Sequence, residues 1–280
     1  MKKWNLIVDV AKCNNCNNCF LANKDEHVDN DFPGYAAPQP RHGHRWIDIL
    51  RQERGRAPMV DVAYLPTMCN HCDDAPCVKA STDGAVYKRP DGIVIIDPQK
   101  AAGKKEIVGS CPYGAIWWNE ERKVAQTWIF DAHLLDHGWK EPRCAQVCPT
   151  GAISSVKAED SEMQAVAASE ALEVLHPEFG TKPRVYYRDL YRFTKCFIGG
   201  SVAVDRNGVV DCLEGANVML ARGGARLAEE RTDAWGDFKF DKLAKDSGTY
   251  TIEVSHPDHG KEVVAVRLGE SQYLGVVYLR

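Results

Sequence analysis

The sequence predicts an α+β chain with a duplicated, cysteine-rich N-terminal part that carries hairpin insertions, followed by an antiparallel β-sandwich. Three observations predict it. Three-cysteine runs occur twice, as CNNCNNC from residue 13 and CNHCDDAPC from residue 69. The phrase CPYGAI at 111–116 returns as CPTGAI at 148–153, which is an internal repeat. From about residue 198 the chain reads as short alternating strands separated by Gly and Asp turns.

The remaining elements follow from periodicity. A strand is predicted over residues 4–11, just before the first cysteine run. Hairpins are predicted at 85–97 and at 117–130, where apolar runs flank turn residues. A helix is predicted over 160–175, because apolar residues recur at i, i+3 and i+4. The basic, aromatic segment 182–193 is predicted to be extended.

Composition limits the class of protein. The 280 residues and a formal net charge of −4 predict one or two domains and give no sign of nucleic-acid binding. No apolar run reaches the length of a membrane span, and the N-terminal apolar stretch, interrupted by Asp9, reads as a strand rather than a signal peptide. We therefore expect a cytoplasmic protein. In that compartment, eleven cysteines indicate metal binding before disulfides.

The cysteine spacing indicates iron–sulfur clusters. In a [4Fe–4S] cube each iron takes one thiolate, and a tight triad lets one loop supply three corners. The fourth corner comes from a distant Cys-Pro, which in two-cluster ferredoxins belongs to the other run. Cys111 and Cys148, each followed by proline, are therefore the expected fourth ligands of the two triads. Zinc is the alternative, but it usually takes two separated pairs and fits the triads badly.

Other polar candidates are expected to be structural. His71 lies inside CNHC, where a hydrogen-bonding or packing role is expected over a ligand role because cysteines fill all four corners. Cys196 and Cys212 lie beyond the repeats and are expected to be buried thiols. Lys104 and Lys105 are expected to be solvated charges. No residue is predicted to be catalytic.

These patterns divide the chain into three predicted parts. A bacterial ferredoxin-like 4Fe–4S domain is expected over 1–157, a helix and an extended aromatic linker over 158–196, and the β-sandwich over 197–280. Within the sandwich, TDAWGDFKFDKL and SGTYTIEVS resemble transthyretin-like or carboxypeptidase-regulatory-like modules. That resemblance implies a mostly structural role for the C-terminal part.

The N-terminal motifs resemble a known family. The motifs are VDVAKC, CNHCDDAPC, GIVIIDPQK, CPYGAI and AHLLDHGWKEPRC with CPTGA. Over residues 5–155 they are similar to the iron–sulfur subunits of molybdopterin oxidoreductases of the dimethyl-sulfoxide-reductase type. That family carries four cysteine runs. The ligand sets that the resemblance implies are Cys13, Cys16, Cys19 and Cys148 for a first 4Fe–4S cluster, and Cys69, Cys72, Cys77 and Cys111 for a second.

Two further cluster positions of the family have lost ligands in this chain. The resemblance maps a third position onto Asn23, Trp128, Asp131 and Cys144, and a fourth position onto Ser81, Ala101, Lys104 and Ile107. We expect both positions to be empty. A degenerate third cluster with Asp131 and Cys144 as ligands stays open as an alternative. Trp128 is expected to be buried and to fill the volume of the third position with its indole.

Further motifs narrow the resemblance. HRW at 44–46, GTKPRVYY at 180–187 and LYRF at 190–193 are similar to small subunits of the pyrogallol–phloroglucinol transhydroxylase group. This implies a heterodimer whose large subunit carries molybdenum with two pterin guanine dinucleotides and acts on polyhydroxylated aromatics. Two alternatives stay open. One is the electron-transfer subunit of a net-redox relative, such as a resorcinol hydroxylase or catechol dehydroxylase, and the other is a free-standing ferredoxin-like electron carrier.

Overall fold

The computed structural model describes residues 1–280 and divides into two compact units. The first unit comprises Met1–Leu50 and Tyr64–Leu190, and the second comprises Arg51–Ala63 and Tyr191–Arg280. This division differs from the predicted three parts, because most of the predicted linker contributes elements to the first unit. None of the helices is long and apolar enough to cross a membrane.

The first unit is built from short elements. Its strands, of which two extend into the second unit, are β1 Lys3–Asp9, β2 Ile47–Arg56, β3 Met59–Met68, β4 Val86–Lys88, β5 Val94–Ile96, β6 Trp117–Asn119, β7 Val124–Gln126, β8 Ile153–Ala158 and β9 Val185–Arg188. Its α-helices are α1 Asn18–His27, α2 Pro76–Ala80, α3 Ala132–Asp136, α4 Arg143–Gln146 and α5 Asp160–Ser169. Two 3₁₀ turns, Lys105–Ser110 and Pro177–Phe179, complete it.

The sheet of this unit explains how two distant cysteines meet. Its strand order is β8-β1-β9, with β1 antiparallel to β8 and parallel to β9. The central β1 is apolar and buried, as expected of a strand covered on both faces. Val8 near the end of β1 pairs with Ile153 at the start of β8. The segment after β1, with Cys13, and the segment before β8, with Cys148, therefore lie at the same end of the sheet.

Both predicted hairpins form, with strands of only three residues. β4 pairs β5 with Val86 opposite Ile96, and β6 pairs β7 with Trp117 opposite Gln126. The predicted helix begins as expected but ends at Ser169 rather than at residue 175. It ends early because Ala171 is left-handed, with φ 50°, and the Leu172 N–H closes back on the Ala167 carbonyl at 2.8 Å.

Besides the parts of β2 and β3 within Arg51–Ala63, the second unit contains α6 and eight strands. Its elements are α6 Tyr191–Thr194, β10 Cys196–Arg206, β11 Val209–Cys212, β12 Asn217–Arg222, β13 Ala225–Arg231, β14 Asp237–Leu243, β15 Gly248–His256, β16 Gly260–Leu268 and β17 Gln272–Leu279. β10 pairs β11 and β14 and runs parallel to β17, and a second sheet has the order β13-β12-β15-β16. Buried residues of both sheets form one apolar core, as in a sandwich.

The two cysteines of the second unit differ in environment. Cys196 is buried at the start of β10, whereas Cys212 is exposed on β11. The prediction that both thiols are buried is therefore wrong for Cys212. The physical reason is that β11 is a short edge strand, paired only with β10, and all four of its residues are exposed.

Candidate metal centres

The first triad and Cys148 surround one small cavity. Cys13 lies in the loop after β1, and Cys19 lies in the first turn of α1. The loop turns tightly because Asn15 and Asn17 adopt left-handed backbone angles, with φ of 60° and 61°. Asparagine is among the few residues that tolerate this region, which gives the two Asn-Asn pairs of the motif a structural reason. The sulfur-bearing residues that line the cavity are Cys13, Cys16, Cys19 and Cys148.

The second triad and Cys111 surround a second cavity. Cys69 and Cys72 are buried in the loop after β3, and Cys77 lies in the first turn of α2 behind Pro76. His71 has a φ of 44°, so this loop also contains a left-handed residue between its cysteines. The cysteines that line the cavity are Cys69, Cys72, Cys77 and Cys111. The structure thus brings each predicted set of four together.

The electrostatics of the thiols follow the same grouping. Burial raises the pKa of the Cys19 thiol to about 12, and Cys148 is among the neighbouring thiols that contribute. Burial also raises the pKa of Cys77 to about 11, and Cys111 is the next contributor. Without metal these thiols hold their protons at neutral pH. Binding of iron as thiolate must therefore release protons, which makes metal binding pH-dependent.

The spacing of the donors fits a cluster better than a single ion. Each centre combines a cysteine triad from one loop with one distant cysteine. A zinc site usually takes two separated pairs, with Zn–S bonds of about 2.3 Å. A four-iron cube instead spreads its four thiolates over separate corners. Four cysteines around a cavity therefore fit a cube at both centres.

His71 is placed beside the second centre as a hydrogen-bonding residue. Its Nδ1 accepts the Val94 N–H at 3.0 Å and lies 3.9 Å from the Cys69 sulfur. Burial lowers the pKa of its imidazole to about 3. A neutral ring whose Nδ1 is occupied by the backbone ties the loop to β5.

The fourth position is packed and holds no donor set. Ala101 and Ile107 are buried in an apolar cluster around β4, β5 and β7. The Ser81 hydroxyl donates to Asp83, and Lys104 forms an ion pair with the same carboxylate. Apolar packing and surface ion pairs have thus replaced the ligands.

Trp128, which the resemblance maps onto the third position, packs against aromatic rings. Trp128 is completely buried, as predicted, and stacks on Phe130 with ring centroids 4.8 Å apart. Its other aromatic neighbour is His71, with centroids 5.4 Å apart. The indole therefore extends towards the loop of the second centre.

The rest of the third position is polar and buried. Asp131 is left-handed, with φ 50°, and its Oδ2 accepts the Arg143 N–H at 2.8 Å. Its Oδ1 lies 3.5 Å from Nε2 of His27, a residue that the sequence patterns did not single out. Burial raises the pKa of Cys144 well above its ordinary value, and Asp131 is the next cause. Asn23 is buried with no protein partner for its amide.

This donor set does not fit a four-iron cube. The third position offers one thiol, one carboxylate, one amide and an indole that cannot coordinate through a lone pair. A cube takes a thiolate at each iron in the runs of this type.

Known iron–sulfur proteins are similar to this chain. The 4Fe-4S dicluster domain family matches residues 60–158. The chain is 49% identical over 257 residues to the pyrogallol hydroxytransferase small subunit of Pelobacter acidigallici, with 91% of each chain covered.

More distant relatives belong to oxidoreductases. A tetrathionate reductase subunit of Salmonella typhimurium is 30% identical over 192 residues, covering 67% of this chain and 73% of the relative. A sulfite dehydrogenase subunit of Allochromatium vinosum is 31% identical over 204 residues, covering 67% and 83%. The chain thus belongs to the iron–sulfur subunits of molybdopterin oxidoreductases of the dimethyl-sulfoxide-reductase family, together with the pyrogallol hydroxytransferase small subunit.

Proposed function

We propose that the chain is the small subunit of a heteromeric molybdenum enzyme that acts on polyhydroxylated aromatics by transferring a hydroxyl group between phenols. The large partner subunit carries the active site and molybdenum with two pterin guanine dinucleotides. The small subunit holds two 4Fe–4S clusters. The proposed ligands are Cys13, Cys16, Cys19 and Cys148 for one cluster, and Cys69, Cys72, Cys77 and Cys111 for the other.

One observation carries the proposed substrate class. The identity to the pyrogallol hydroxytransferase small subunit extends over 91% of both chains, whereas the oxidoreductase subunits described above align with 67% of this chain. A free-standing electron carrier would not need the second unit, which offers an apolar core but no cluster motif.

Within this function, the residues of the chain bind and orient metal rather than substrate. Bound clusters supply one-electron chemistry. The eight cysteines provide the thiolates, and the left-handed Asn15, Asn17 and His71 turn the loops that carry the triads. Hydroxyl transfer between two phenols has no net redox change, so it requires no electron flow out of the complex. We propose that the clusters mainly stabilise the small chain, since metal-binding energy is also folding energy.

Metal analysis of the anaerobically purified complex tests the cofactor content. We expect about eight irons per small subunit, from two cubes, together with molybdenum in a co-purifying large subunit. A reproducible value near twelve, by the same count, would contradict two clusters and would require the third position as a ligand set. A chain that elutes alone, stable and without molybdenum would favour the carrier alternative.

A ligand variant separates transhydroxylase from net-redox relatives. Cys72→Ser should remove the second cluster, lower the iron content by about half and weaken assembly. The complex that still assembles should keep most of its turnover per molybdenum. Cys212→Ser, at an exposed thiol in the other unit, is the matched control and should change neither iron nor turnover. Lost turnover in an intact, molybdenum-loaded Cys72→Ser complex would contradict the structural role of the cluster.

Two finer assignments belong to the same proposal. For the second unit we propose a transthyretin-like or carboxypeptidase-regulatory-like fold, supported by its two four-stranded sheets around one core. We propose the cytoplasm as the location, supported by eleven cysteines that are all free thiols.

A further inference from the structure

The side chain of Lys88 forms hydrogen bonds to the loop that carries the second triad. From the end of β4 its Nζ donates to the backbone carbonyls of His71 at 2.8 Å and of Cys72 at 2.9 Å. A third bond goes to the Gly92 carbonyl at 2.9 Å, across the turn of the β4–β5 hairpin. One ammonium group therefore ties the hairpin to the loop between two proposed ligands. Sequence patterns gave no signal for it, because a lysine in a hairpin is ordinarily solvated.

The charge of Lys88 is largely withdrawn from solvent. Its side chain is 19% exposed, and its nearest counter-charge is Asp73, at 2.9 Å. Asp73 is shared, because it also pairs with Arg184 and Lys3. Burial lowers the pKa of Lys88, while the hydrogen bond to Asp73 opposes that shift. Electrostatic interactions at such a site are stronger than at the surface, because water screens them less.

The loop of the first triad has no equivalent cation. In this loop the carbonyl of Asn15 accepts from the Asn17 side-chain amide, and the carbonyl of Asn17 accepts from the Leu21 N–H. Lys12 is 56% exposed and lies 3.9 Å from Asp9. Arg45 approaches the loop at the Asn17 side chain, 3.5 Å away, lies over the ring of Phe20 and is paired with Asp48. The two centres thus have similar ligands but different fixed charges beside their loops.

We propose that Lys88 is a positioning residue that raises the reduction potential of the second centre and holds its ligand loop in place. The inference rests on the proposed ligand sets. Uptake of one electron from an external low-potential reductant adds one negative charge to the four-thiolate centre. A nearby buried ammonium favours that added charge, and net charge and hydrogen bonding are recognised determinants of cluster potential. The first centre, without such a cation, gains no comparable effect.

A potentiometric titration with dithionite, followed by electron paramagnetic resonance of the intact complex, tests this. Lys88→Met keeps the apolar stem and removes the charge, and it should shift the midpoint potential of the second centre to more negative values. The first centre should not shift. The Cys72→Ser variant assigns the signals. Lys182→Met is the matched control. Lys182 is exposed and lines the same surface cleft as Lys88 and Asp73, so its replacement should leave both potentials unchanged.

Two further variants keep the test decisive if Lys88→Met loses its cluster. Lys88→Arg retains the charge and should keep the iron content and a potential near that of the unaltered chain. Asp73→Asn removes counter-charge and should shift the potential of the second centre in the positive direction. Retained clusters with unchanged potentials in Lys88→Met or in Asp73→Asn would overturn the inference, as would cluster loss from Lys88→Arg. An unaltered complex without two clusters would instead contradict the proposed function.

Discussion

The two units of the chain bury different kinds of side chain. In the second unit, long strands from two sheets enclose one apolar core that includes Phe238, Phe240 and Ile252. In the first unit, four of the strands have three residues each. All buried polar or charged residues except Arg54 and Thr232 also lie in the first unit. Burying polar groups costs free energy unless they find partners, so folding of the first unit depends more on how its buried polar groups are satisfied.

The difference shows what the cysteines contribute. A unit with short strands and a polar interior needs additional cross-links, and two four-cysteine centres join segments that are far apart in sequence. The second unit needs none, because a β-sandwich is stabilised by apolar area removed from water. We therefore expect folding of the first unit to depend on metal and folding of the second unit to be independent of it.

Removal of iron should have the largest effect. After anaerobic treatment of the full chain with an iron chelator, we expect backbone amides of the first unit to lose protection, because metal-binding energy is lost from its folding. Amides of β10 and β12 to β17 should stay protected. Hydrogen–deuterium exchange read by mass spectrometry measures both units in one sample. Equal loss of protection in the two units would show that they fold as one, and reconstitution with iron and sulfide is the control.

Trp128→Ala should have the next largest effect. The indole is fully buried and stacks on Phe130, so truncation leaves a cavity and should cost about 3–5 kcal/mol of unfolding free energy. Trp235, which is 76% exposed in the second unit, is the matched control. Trp235→Ala should change the free energy by less than about 0.5 kcal/mol. Denaturant unfolding of the iron-loaded proteins compares the two, and equal midpoints would contradict the contribution of the buried Trp128 indole to stability.

Much of the first unit could be predicted because the geometry of an iron–sulfur cube restricts the spacing of its cysteine ligands. The triads and the Cys-Pro repeats identified the eight cysteines that line the two cavities, and apolar runs around turns identified both short hairpins. The β2–β3 hairpin was not predicted, because the charged stretch of β2 does not alternate as a half-buried strand does. Its residues carry no periodic signal.

Other features depended on tertiary contacts that spacing cannot show. The approach of His27 to Asp131 joins residues more than a hundred positions apart, and His27 lies in no metal motif. The hydrogen bond from Lys88 to the His71 carbonyl depends on how the β4–β5 hairpin packs beside the loop of the second triad. The early end of α5 depends on the left-handed backbone of Ala171. This conformation is uncommon for alanine, so the sequence does not predict it.

A truncation in the apolar core of the second unit tests whether the stability of that unit is independent of the clusters. Phe240 is 3% exposed between the sheets, and Phe240→Ala should lower the free energy of unfolding of that unit by about 3 kcal/mol. The iron content should not change, because no proposed ligand belongs to this unit. Iron analysis and exchange protection on the same preparation provide the measurement. A parallel loss of iron would contradict independent folding.

The smallest expected effects distinguish a packing thiol from a ligand thiol. Cys196 is buried in the second core, so Cys196→Ala removes one packed sulfur and should cost about 1 kcal/mol, near the centre of the distribution for point substitutions. Cys212 is exposed, and Cys212→Ala should change stability by less than about 0.5 kcal/mol. Both variants should retain all of their iron and their cluster spectra, because a thiol of a metal-independent unit contributes only volume. Loss of iron from either variant would show that a cysteine outside the two motifs binds a cluster, and the division between a metal-dependent and a metal-independent unit would then be wrong.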